Sequence, residues 1–138
     1  MDTVIPSAHL THAAVLAMLN AAVAKAEAIG QPQCIVVVDA SGEPLGEIRM
    51  NGSRFLSRKS ARAKARTAAS IGGDSANIPE AMRAPLAAAT GGDVTGLSGG
   101  LAIRLDGALL GGVGVGSGSP EQDIAVAEAA LAAIGAER

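Results

Sequence analysis

The sequence predicts an α+β fold in which helices cover one antiparallel sheet, and three observations carry that prediction. Two hairpin signals alternate with amphipathic helical patterns, and tight hairpins join antiparallel neighbours only. Asp106-Gly107, between LAIRLD (101–106) and ALLGGVGVG (108–116), is the strongest of these signals and suits a type I′ turn. Finally, 138 residues with 49% hydrophobic and 17% charged side chains fit one packed domain and not a disordered chain. The domain is read as residues 1–138, with 1–9 as a flexible N-terminal tail. Phe55 is the single aromatic residue among 18 glycines, so helices and strands are expected to approach closely.

Each element has a local cause. Thr11 is placed as an N-cap, with Leu10 and Val15 as a hydrophobic staple. Val15, Leu19, Val23, Ala26 and Ile29 then recur at helical spacing until Gly30 and Pro32. CIVVVD (34–39) is too apolar for a strand wetted on one face, so cover on both faces is expected, from helices or another subunit. Ala40-Ser41-Gly42 turns the chain into a second strand near 44–50. A helix is expected from about Ser57 to Ile71, stopped by Gly72-Gly73, and a shorter one near 79–89, interrupted by Pro85. After the second hairpin, Ser119-Pro120-Glu121-Gln122 reads as a capping box with Pro at the first helical position. Ile124, Ala127, Leu131 and Ile134 supply the last helix's buried stripe.

Charge and composition argue against several function classes. The net charge of −2 gives no general attraction for a polyanion, and there are no aromatic platforms for exposed bases, which disfavours nucleic acid. Cys34 is the only cysteine, so no internal disulfide or Cys/His zinc site can be assembled, which suggests a reducing compartment. No basic n-region with an apolar h-region opens the sequence, and no window has the roughly 18 uninterrupted apolar residues of a membrane span. A cytoplasmic protein without membrane partners is expected.

Seven of the eleven basic residues fall between Arg49 and Arg66, and no acid occurs from Ile48 to Gly73. Arg58, Arg62 and Arg66 share a helical stripe with Lys59 beside them, read as a solvated face, with an anionic subunit contact as the alternative. Lys64 falls on the opposite, small-residue side. There it must either pair with a carboxylate or meet an anionic ligand at the edge of a pocket, because an unpaired buried ammonium is costly. A two-residue Asp106-Gly107 loop pairs Leu105 with Ala108, Ile103 with Leu110, Leu101 with Gly112 and Gly99 with Gly114. Gly112, Gly114 and Gly116 then form a bare face, covered by an Ala-rich helix such as 124–134 or serving as a ligand floor. Gly116-Ser117-Gly118-Ser119 enters the last helix, whose positive end could receive a carboxylate, with Glu121 and Asp123 as acid–base candidates. His9 and His12 are the only imidazoles, and Cys34 reads as a small buried hydrophobe.

The segments IVVVDASGEPLGEIRMNGS, SARAKARTAAS and, most specifically, LSGGLAIRLDGALLGGVGVGSGSPEQDIAVAEAAL resemble the GlcG/HbpS-like family. Its members include haem-binding proteins and the C-terminal domain of PduO-type cobalamin adenosyltransferases. The resemblance implies a three-layer α-β-α sandwich around an antiparallel sheet, profilin-like, assembled as a homo-oligomer, often an octamer. It implies a small-molecule-binding protein with haem or a related tetrapyrrole as ligand, and His12 as a candidate haem ligand. By matching positions, the implied pocket involves Arg49, Met50, Lys64, Gly99, Gly100, Ser117, Gly118, Ser119 and Gln122. The residues themselves keep a second reading open, a cofactor-independent lyase or isomerase acting on a small carboxylate. In it Lys64 and the helix N-terminus hold the substrate while Glu121 or Asp123 moves a proton.

Overall fold

A computed structural model describes residues 1–138. Helix α1 (His12–Ala28) starts at Thr11, whose hydroxyl accepts from the Ala14 amide at 3.1 Å. Strands β1 (Cys34–Asp39) and β2 (Pro44–Arg49) form the first hairpin; the Asp39 carboxylate accepts from the Ser41 and Glu43 amides and closes its turn. Helix α2 (Ser57–Ile71), a 3-10 turn at Ser75–Asn77 and helix α3 (Glu80–Ala89) follow. Strands β3 (Gly100–Leu105) and β4 (Ala108–Gly116) turn through Asp106 and Gly107, both at the positive φ that a type I′ turn requires. Helix α4 (Pro120–Ala133) ends the fold. Residues 1–9 carry no helix or strand and are exposed.

The four strands lie in the order β2-β1-β4-β3, and every pairing is antiparallel. The apolar central strand β1 is covered on both faces, by helices. Ile35 and Val37 face a core with Val15, Met18, Ala22 and Ala26 of α1 and Val126, Ala127 and Ala130 of α4. Cys34, Val36 and Val38 face Ala61, Ala65 and Ala69 of α2. The result is the expected α+β, three-layer α-β-α arrangement. No helix is long and apolar enough to cross a membrane.

Four expectations need correction. The second hairpin has a bulge: Arg104 pairs with Leu109 and Ile103 with Gly111, leaving Leu110 unopposed. Gly114 therefore lies opposite Gly100, and not Gly99, while Leu101 faces Val113. An unbulged register would put Leu101 and Ile103 on the glycine face. The bulge instead brings them into one core with Leu110, Val113 and Val115.

The glycine face is covered by α2, not α4. A Cβ at Gly100, Gly112 or Gly114 would run into the backbone carbonyls of Lys64, Ala65 or Ala61 respectively. The buried stripe of α4 is Asp123, Val126, Ala127, Ala130 and Leu131, so Ile124 and Ile134 are only half-buried. Its small residues meet Ala22 and Ala26 of α1, and that close helix contact sets the rotation.

Helix α3 continues through Pro85 without interruption. The ring removes one bond to the Ala81 carbonyl, but no residue of α3 is buried, so water can take that carbonyl.

Candidate functional site

Lys64 lies on the buried face of α2, and its side chain runs past Gly99 toward the start of α4. Its Nζ donates to the Val115 carbonyl at 2.8 Å and to Asp123 Oδ2 at 3.0 Å, with only 6% and 4% of the Lys64 and Asp123 side chains exposed. The other carboxylate oxygen accepts from the Gly118 amide at 3.0 Å. This pair ties the two helical layers together beyond the end of β4. It needs a glycine at position 99, where φ is +116° and a Cβ would stand 2.7 Å from the Val115 carbonyl oxygen.

Burial pushes the Asp123 carboxyl above the usual aspartate range, against the opposing pull of the Lys64 hydrogen bond and charge, the Gly118 amide and the Gln33 side chain. Gln33 is fully buried beside them, near enough to help hold the Asp123 charge, yet its amide completes no hydrogen bond of good geometry.

The turn into α4 is held largely by its own residues. Ser119 and Gln122 form the reciprocal capping box. Ser117, at a φ of +89°, accepts the Arg54 amide on its Oγ and the Gln31 side-chain amide on its carbonyl. Glu121 is exposed on the first turn of α4. Gly100 donates its amide to Ser75 Oγ at 3.0 Å.

Arg49 and Met50 lie apart from this cluster, at the C-terminal end of β2, where Arg49 pairs with Cys34 and Cys34 with Gly116. Together with Val23 and Ala26 of α1, Pro32 and Ile48, Arg49 and Met50 line a cleft of about 410 Å³. Gln31 also lines this cleft and links it to Ser117. The structure thus divides the residues marked out in the sequence into a buried cluster (Lys64, Gly99, Gly100, Asp123) with the half-buried Gly118 at its edge, and an open cleft with Arg49 and Met50. His12 is exposed at the start of α1. Val23 lies eleven residues further along the helix, about 16.5 Å at 1.5 Å per residue.

A second cavity, of about 530 Å³, follows the outer face of α2. Arg58, Arg62 and Arg66 line it as a stripe, and Phe55 and Leu56, 64% and 63% exposed, stand at its end. In the sequence the stripe reads as a solvated face or an anionic subunit contact, whereas the structure makes it one wall of a groove. The sole aromatic residue directly before an acid-free run of arginines was the signal available for a groove.

A family model described as haem degrading protein HbpS-like matches residues 10–132, spanning both clusters and the groove. The chain belongs to the HbpS-like family. Among HbpS-like relatives, the corrinoid adenosyltransferase PduO of Citrobacter freundii is 37% identical over 123 residues, 85% of this chain. Those residues are 36% of PduO, so the chain spans about a third of that relative's length. The crystal structure of a PduOC–haem complex superposes with a TM-score of 0.87 at 30% identity, covering 94% of this chain and 98% of the other. Klebsiella pneumoniae protein ORFY superposes with a TM-score of 0.93 at 27% identity, covering 100% and 99%.

Proposed function

We propose that this HbpS-like protein binds haem or a related tetrapyrrole in the cleft where Arg49 and Met50 meet. The observation that carries this reading is the donor set of that one cleft. Val23, Pro32 and Ile48 offer apolar walls to a macrocycle, Met50 brings a thioether of the kind that ligates haem iron, and the Arg49 guanidinium, in a cleft that Glu27 also lines, suits a propionate. These residues fit the group, and the haem in the related PduOC complex supports the choice of ligand. When bound, haem would supply a redox-active iron, while Met50 would offer a thioether donor and Arg49 a cation. His12 of the same chain lies too far along α1 to share the cleft.

Adding hemin is expected to give a saturable Soret band at one equivalent per chain. Met50→Ala is expected to shift or abolish the band, and Arg49→Gln to weaken binding about tenfold, the scale of one charged hydrogen bond. His12→Ala should leave the band in place. A band that moves in His12→Ala and not in Met50→Ala would overturn the assignment.

We also propose that the protein works in the cytoplasm as a homo-oligomer, eight subunits by family resemblance. Helix α3 supports self-association: ten residues of which none is buried, with Met82 at 45% exposure, make an uncovered helix too short to be stable alone. Native mass spectrometry at micromolar concentration is expected to show the oligomer, and a persistent monomer would refute it.

A further inference from the structure

We infer that the groove along the outer face of α2 is a binding site for a small organic dianion with one flat apolar face. Arg58, Lys59, Arg62 and Arg66 line it against two carboxylates, Glu47 and Asp93, which leaves an excess of two positive charges. Arg58 and Arg62 both lean on Glu47, at 3.4 and 4.0 Å, and Arg66 reaches Asp93 at 3.2 Å. Lys59 has no ion-pair partner in the structure. Exposed pairs of this kind are held weakly, so the guanidinium forks are free to turn toward a ligand's oxygens.

The start of α2 adds a second, independent observation. Its N-cap, Leu56, makes no side-chain capping bond, and its first turn holds no acid but does hold Arg58 and Lys59. Cations at the positive end of a helix oppose its dipole, and an anion in the groove relieves both. The first amides of α2 already bond back to the carbonyls of Arg54, Phe55 and Leu56, so the side chains would hold the ligand. Phe55, the only aromatic residue of the chain, stands exposed beside these cations and offers a ring face for stacking. The cavity volume lies within the range of small-molecule sites, and the net charge of −2 works against a long polyanion.

Phosphate monoesters and dicarboxylates share this chemistry, so calorimetric titrations at low salt should use naphthyl phosphate and terephthalate, with neutral naphthol as the control. At least one dianion is expected to bind saturably at one site per chain, more weakly as salt is raised, and naphthol is not. Whichever binds identifies the head group as phosphate or carboxylate. Arg62→Gln and Arg66→Gln are each expected to weaken binding about tenfold. Phe55→Ala should weaken the aromatic dianion but not inorganic phosphate. Phe55 is 64% exposed, and the Arg62 and Arg66 side chains are 49% and 34% exposed, so none is a core residue and the variants should keep the parent circular dichroism. If neither dianion saturates, or the arginine variants bind as the parent does, the inference is wrong. The groove and the Arg49–Met50 cleft lie on opposite sides of the sheet and are read with different probes, so either can fail alone.

Discussion

Lys64→Met is expected to destabilise the fold by about 3–5 kcal/mol, the usual cost of breaking a buried ion pair by removing one partner. Asp123 would keep its place in the core, 4% exposed, having lost both the hydrogen bond and the charge that oppose its desolvation. The double variant Lys64→Met/Asp123→Leu should recover most of the loss, because it buries no charge at all.

The sign of the pH dependence separates this mechanism from simple loss of packing. Burial already raises the Asp123 pKa above 3.8, and removing Lys64 raises it further. A carboxyl with a raised folded-state pKa contributes stability that is present below the unfolded value and lost as pH rises through the folded value. The deficit of Lys64→Met should therefore be larger near neutral pH than in mild acid. Urea unfolding of the single and double variants at the two pH values measures both effects. A single variant within about 1 kcal/mol of the parent, or a deficit independent of pH, would contradict the account.

The sequence placed Lys64 on the small-residue face and left it two fates, a carboxylate partner or an anionic ligand. The helical angle could not choose between them, because Asp123 is 59 residues away and meets Lys64 only when the two layers close on the sheet. What depends on a few adjacent residues was readable: the Thr11 cap, the Asp106-Gly107 turn, the Ser119–Gln122 capping box and the span of α2. What depends on tertiary contact was not. The bulge at Leu110 exists because both strands must turn their large side chains to one core, and nothing in the hairpin sequence alone demands it. Of the expected α4 stripe, Ala127 and Leu131 are buried, but contact with the alanines of α1 turns Val126 and Ala130 inward in place of Ile124 and Ile134. The α2 groove was missed for a related reason: a regular stripe of arginines looks the same in sequence whether it faces water or a ligand.

The glycine face offers the second large effect, since Gly114→Ala adds a single methyl group and is expected to cost about 3 kcal/mol or more. Gly114 is in ordinary strand conformation, so the cost comes from space and not from backbone strain. The new Cβ would collide with the Ala61 carbonyl and lie 2.5 Å from the Ala65 amide nitrogen. Both are backbone atoms in the middle of α2, so no side chain can rotate away. Relief requires α2 to lift off the sheet, which opens the contact of Ala61, Ala65 and Ala69 with Cys34, Val36 and Val38. Overpacking of this kind exceeds the roughly 0.4–1 kcal/mol that a Gly→Ala change gains through the unfolded state. Gly73→Ala is the matched control: its Cβ would meet only the Asn77 side chain, at 3.4 Å, so its stability should stay within about 1 kcal/mol of the parent. Denaturation midpoints of the two variants decide the matter. If Gly114→Ala unfolds where Gly73→Ala does, α2 does not rest on the bare backbone of β4, and the close approach assigned to that strand's glycines fails with it.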